Sequence, residues 1–113
     1  MQLNELIEEF LMELEIQNSS KETIRSYKNS LKIFNEYLGD VEIEEVKSID
    51  VKAFTIFNRE RGLKQKSQNI NVSSIRALYS YLIEEEIVMK NLGYSVIILY
   101  SLSRLLGHEI LIL

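Results

Sequence analysis

Apolar residues recur along this chain at helical spacing, in separate blocks. Leu3, Leu6, Ile7, Phe10, Leu11 and Leu14 follow the i, i+3, i+4, i+7 order of a buried stripe, which predicts a first helix over residues 3–17 with glutamates on its other face. Asn18-Ser19-Ser20 breaks the pattern and brings N-cap chemistry. Ile24, Tyr27, Leu31, Phe34 and Leu38 share one face of a second helix over 21–38, with Ser20 as its cap and Gly39 just past its end. Val41, Ile43 and Val46 read as a short extended or irregular piece tucked under the domain. Ser48 or Asp50 caps a third helix that runs to Arg61, with Val51, Phe54, Ile56 and Phe57 as its apolar side and Gly62 at its end. "LKQKSQ" reads as a polar turn. A fourth helix is expected over 67–86, with Val72, Ile75, Leu78, Tyr79 and Leu82 as its core stripe.

The block from Gly93 to Leu113 differs in kind. "SVIILYSLSRLLGHEILIL" is mostly apolar with little amphipathic relief. A membrane span needs about 20 apolar residues with few charges, and Arg104, His108 and Glu109 interrupt this one. It reads as a buried helix or as a fragment of a larger core. The pattern predicts an all-α, four-helix domain over residues 1–91, followed by an extra apolar C-terminal segment over 92–113.

Composition narrows the class. The 113 residues suffice for one small domain with a single core, and with no proline and four glycines few breakers interrupt the helices. Cysteine is absent, which excludes disulfides and thiolate metal sites and fits a reducing, cytoplasmic setting. The acidic start "MQLNELIEEF" lacks the basic-then-apolar order of a signal peptide. One histidine and scattered carboxylates make no metal constellation. Neither a GxSxG turn nor a glycine-rich phosphate loop is found. An autonomous enzyme is not expected, nor are a cofactor, a small-molecule substrate or a membrane partner.

The charge is unevenly spread. A net charge of -4 and a pI near 5.1 speak against a generic nucleic-acid binder. Yet residues 1–20 hold five glutamates and no lysine or arginine, giving -5, while residues 21–76 hold eleven cations against eight acids, giving +3. A local basic surface can therefore coexist with an acidic total.

Two helix faces carry candidate chemistry. Lys21, Arg25, Lys28 and Lys32 fall within about 60° of arc on the second helix, roughly 110° from the centre of its core stripe. A solvated surface is the plain reading, but four like charges repel slightly, which favours an anionic partner. On the fourth helix Lys66, Asn69, Ser73, Arg76 and Ser80 share one face, with Lys64 and Gln65 before it and no acid until Glu84. Arginine can read guanine edges, asparagine can read adenine, and serine and lysine can hold phosphates. Serine and asparagine also occur on any exposed face. Two such helices in one chain point to nucleic acid. The competing reading is a protein-interaction module that uses the acidic first helix and the apolar tail.

The order of these pieces resembles a known family. "SKETIRSYKNSLKIFNEYLG", then "VEIEEVKSIDVKAFTIFNRERG", then "LKQKSQNINVSSIRALYSYLIEEEIVMKN" looks like the N-terminal core-binding, SAM-like domain of tyrosine recombinases, the phage integrases. The matching positions are Ser20, Thr23 and Tyr27 in the second helix, Ile49-Asp50 leading into the third, the serine-rich start of the fourth, and the closing Asn91. The resemblance covers residues 1–91. It implies a four-helix SAM-like orthogonal bundle that clamps double-stranded DNA for integration and recombination, with other recombinase protomers as further partners. By the resemblance Thr23, Lys28, Lys66, Asn69, Ser73 and Arg76 fall in the contacting region, while Tyr27 and Tyr79 match core positions. Together with the charge pattern, the expected DNA-binding set is Lys21, Thr23, Arg25, Lys28, Lys32, Lys64, Lys66, Asn69, Ser73 and Arg76. The family usually continues with Asn-Pro and a catalytic domain, whereas Leu92 follows Asn91 here. "SLSRLLGHEIL" is similar to the family's LLGH box and would place His108 at its histidine position. No arginine pair or tyrosine follows, so strand cleavage is not expected, and the tail resembles a remnant of the catalytic domain.

Overall fold

A computed structural model of the chain describes residues 1–85, in the order α1 (Leu3–Ile16), α2 (Lys21–Leu38), a 3-10 turn (Ile43–Glu45), α3 (Ser48–Glu60) and α4 (Gln65–Glu84). No β-strand occurs among the described residues; a single bridge pairs Gln2 with Glu42. The apolar tail, Asn91 and His108 lie outside the described residues.

Local chemistry sets the helix ends. At the start of α2 the Thr23 N–H donates to Ser20 Oγ at 3.1 Å, and the Ser20 hydroxyl donates to Thr23 Oγ1 at 2.8 Å. The helix closes at Gly39, whose φ of 81° is open to glycine without strain. Gly62 plays the same part after α3, at φ 83°. Asn18, at φ 59°, turns the chain out of α1, in the left-handed region that asparagine tolerates better than most residues. The N-terminus of α3 is fixed by Asp50, whose carboxylate accepts the Lys47 N–H at 2.8 Å from the third helical position.

The expected stripes pack together. Leu3, Leu6, Phe10, Leu31, Phe34, Ile75, Leu78, Tyr79 and Leu82 are buried in one core, joined from below by Ile43 and Val46. The segment before the 3-10 turn is lashed to the start of α1: the Leu3 N–H donates to the Val41 carbonyl at 2.9 Å and the Ile43 N–H to the Met1 carbonyl at 3.0 Å. α2 and α4 lie against each other across the middle of the domain, with α1 and α3 packed on the pair.

Two expectations are corrected. α4 begins at Gln65, two residues before the expected start, so Lys66 stands in its first turn rather than in a loop. No side chain caps this end; Gln68 Nε2 instead ties the helix back to the Leu63 carbonyl at 2.8 Å, and Gln65 Nε2 donates to Asn69 Oδ1 at 2.9 Å. α3 buries Val51, Phe54, Thr55 and Asn58, while Ile56 is 49% and Phe57 41% exposed. The polar pair can be buried because each side chain is satisfied. Thr55 Oγ1 donates to the Val51 carbonyl at 3.0 Å, and Asn58 Oδ1 accepts from Arg61 Nε at 2.9 Å. Phe57 instead lies at the rim, its ring centroid 4.9 Å from that of Tyr37 and 5.5 Å from the Arg61 guanidinium carbon.

Candidate nucleic-acid interface

Where α2 meets α4, small side chains stand in place of large ones. Ser26, Asn29, Ser30 and Ile33 form the α2 wall of a groove of about 330 Å³. Ser67, Ile70 and Asn71 form its α4 wall, and Arg61 and Leu63 close the end near the α3–α4 turn. Ser30 and Asn71 are each 5% exposed, so they make the floor. The Asn71 amide nitrogen has no hydrogen-bond partner among the described residues. A buried donor left unpaired costs about 1–3 kcal/mol, so this amide calls for an acceptor.

The expected cations are not among the residues that line this groove, whose one cation is Arg61. Arg25 stands four positions before Asn29 and Lys32 three after it, which makes both its neighbours on the α2 surface. On α4 Lys66 stands four before Ile70, and Lys64 is the extended residue just before the helix. All four are exposed, as are Lys21 and Lys28 further round α2. None of these six lysine and arginine side chains pairs with a carboxylate among the described residues; the ion pairs found there join the Met1 amine to Glu42 and Glu44. The first turn of α4 carries no acid. Lysine beside a helix N-terminus opposes the macrodipole, a small cost that an anionic partner would reverse.

A second groove of about 320 Å³ lies further along α4, lined by Tyr27, Ser73, Arg76, Ala77 and Ser80. Among the described residues no carboxylate lines either groove, although the whole chain carries -4. The acids cluster elsewhere, on α1 and around the 3-10 turn.

The expected site residues therefore separate into groups. Ser73 and Arg76 line one groove together with Tyr27. Lys21, Arg25, Lys28, Lys32, Lys64 and Lys66 are exposed and line neither groove. Thr23 belongs to the α2 cap, and Asn69 is engaged by Gln65. Ser26, Asn29, Ser30, Arg61, Ser67 and Asn71 were not singled out by charge or spacing. For all but Arg61 the signal is the recurrence of small polar residues at helical spacing on the flank of the core stripe, at 26, 29 and 30 and again at 67, 71 and 74. Among the described residues no cluster of three or more His, Cys, Asp or Glu could hold a metal, and no helix is long and apolar enough to cross a membrane.

The profile of the family described as phage integrase, N-terminal SAM-like domain, matches residues 7–86. The chain is 30% identical over 93 residues to the tyrosine recombinase XerC of Leptospira interrogans, covering 79% of this chain and 30% of that protein. It is 32% identical over 92 residues to the same-named protein of Treponema denticola, covering 79% and 30%. With that of Bacillus licheniformis the identity is 33% over 86 residues, covering 73% and 28%. The chain thus spans about 30% of the length of these relatives. No solved structure matches it significantly.

Proposed function

The chain belongs to the phage integrase family, in its N-terminal SAM-like domain, and from that premise we propose that it binds duplex DNA through the face shared by α2 and α4. The observation that carries this reading is a groove between the two helices with no carboxylate in its lining among the described residues, on helices that also carry exposed cations without a carboxylate partner among those residues. Arg25 and Lys32 from α2, and Lys64 and Lys66 from the start of α4, neutralise phosphates, with Lys21 and Lys28 extending the contact along α2. Ser26, Asn29 and Ser67 offer short hydrogen-bonding groups where a backbone or base edge comes close. Thr23 and Asn69 support the contact by fixing the first turns of their helices. Ser73 and Arg76 add a second contact further along α4.

In this reading residues 1–91 hold the DNA in the cytoplasm, beside other protomers, and leave strand cleavage to a catalytic domain. A single small domain with a negative total binds weakly, at about micromolar dissociation constants or poorer, as for largely non-specific contact. The test is fluorescence anisotropy with a labelled duplex across a salt series. The plot of log affinity against log salt should fall with a slope of about -0.9 per phosphate neutralised. Replacing Arg25, Lys64 and Lys66 by glutamine should flatten it by two to three such contacts. Affinity and slope unchanged in that triple variant, with its helicity intact, would overturn the assignment.

A further inference from the structure

The second groove gathers four polar groups that no other group engages among the described residues. Tyr27 reaches it from α2; Ser73, Arg76 and Ser80 come from α4, with Ala77 between them. Ser73 is three positions before Arg76 and Ser80 four after it, so the hydroxyls flank the guanidinium on one helix face. All four residues are half-buried. Neither the three hydroxyls nor the guanidinium makes a hydrogen bond or ion pair within the described residues. Their neighbours show the ordinary alternative: the Ser74 hydroxyl donates to the Asn71 carbonyl at 2.8 Å, and Arg61 is engaged by Asn58. The Tyr27 ring is also held in place, stacked on Phe10 with centroids 6.4 Å apart. A donor on a fixed ring loses little conformational freedom when a ligand arrives.

We propose that this groove is a binding site for a phosphate-type oxyanion, with Arg76 as the charge and the Tyr27, Ser73 and Ser80 hydroxyls as further donors. A guanidinium fork matches two phosphate oxygens at once, and hydrogen bonds to a charged acceptor are about twice as strong as neutral ones. Among the described residues no carboxylate lines the groove, so none of them competes there for Arg76. The oxyanion can be a backbone phosphate of duplex DNA or a free phosphate. The first source rests on the DNA reading above; the site itself does not.

The test is an amide-resolved NMR titration of the whole chain, run separately with inorganic phosphate, with chloride at matched ionic strength, and with a short duplex. Phosphate should move the Ser73, Arg76, Ala77 and Ser80 signals saturably, and chloride should not. Arg76→Gln should weaken that response at least tenfold. Ser73→Ala combined with Ser80→Ala, which leaves the guanidinium in place, should weaken it several-fold. The duplex should move the same signals, and Arg76→Gln should reduce its salt slope by about 0.9. If phosphate binds at these residues and the duplex does not bind at all, the site stands with free phosphate as its ligand and the DNA reading falls. If the duplex alone moves these signals through Arg76, the ligand is a backbone phosphate. If the duplex binds with its slope unchanged in Arg76→Gln and phosphate leaves these signals still, the oxyanion site is overturned while the DNA reading survives. Equal shifts with chloride would also overturn it.

Discussion

Phe10 of α1 stacks on Tyr27 of α2, with ring centroids 6.4 Å apart and planes 18° from parallel. Phe10 also meets the Tyr81 ring of α4 at 5.6 Å, so one buried ring joins three helices. Truncating it leaves a cavity at their junction. Phe10→Ala is expected to cost about 3–5 kcal/mol. Tyr27→Phe keeps the stack and removes a hydroxyl that makes no bond among the described residues, so it should cost under about 1.5 kcal/mol. Urea unfolding of the two variants measures both. Equal losses would mean that Tyr27 serves the core through its hydroxyl.

Lys66 is expected to oppose stability while serving binding. It stands in the first turn of α4, where the exposed N–H groups favour an anion. Lys66→Glu should therefore raise unfolding stability by about 0.3–1 kcal/mol and weaken duplex binding. Thermal melts and anisotropy on the same preparation read the two effects. A variant that loses both stability and binding would show that Lys66 has a structural role.

The register of α3 can be tested against its sequence pattern. Phe54 is buried against Phe34, with centroids 5.1 Å apart, whereas Ile56 is half exposed. Phe54→Ala should cost about 3–5 kcal/mol. Ile56→Ser should stay within about 0.5 kcal/mol, as surface substitutions do. The reverse order of midpoints in urea would place the helix the other way round.

The start of α1 carries the clearest pH dependence. The Met1 amine lies 2.9 Å from Glu42 Oε2. Its hydrogen bond to Glu42 raises the amine above its ordinary pKa of 8.0, and the same bond lowers the Glu42 carboxyl below its ordinary 4.5. A raised amine contributes stability in full below pH 8.0 and loses it as pH climbs through the folded value. A lowered carboxyl contributes above pH 4.5 and loses it as pH falls through the folded value. The pair therefore supports the fold between those limits, weakly because it is exposed. Glu42→Gln should flatten the urea midpoint against pH at both ends. A profile like the parent's would remove this pair as the cause.

Much of the fold was legible because punctuation and periodicity agreed. Ser20 and Gly39 bracket α2, and its bounds follow from them. The start of α4 is hidden in the sequence because Lys64 and Gln65 carry no cap signal, and no side chain caps that end in the structure. The α3 face departs from its pattern because aromatic Phe57 outranks Thr55 and Asn58 on hydrophobicity, and only their hydrogen bonds make the polar pair burial-competent. The α2 cations were visible by period, since 21, 25, 28 and 32 recur on any helix. The grooves were not, because they depend on which residues of α2 and α4 face each other. Ser26 and Ser67 are far apart in the chain and become one wall and the other only after packing.

Amide shifts on adding a short duplex to the whole chain test the DNA-binding face most directly. The expected result is that the largest shifts fall on Ser26, Asn29, Lys66 and Ser67, with the outward faces of α1 at Met12 and Ile16 and of α3 at Ile49 and Ile56 unmoved. Shifts centred on those outward faces, or none below millimolar duplex, would contradict it.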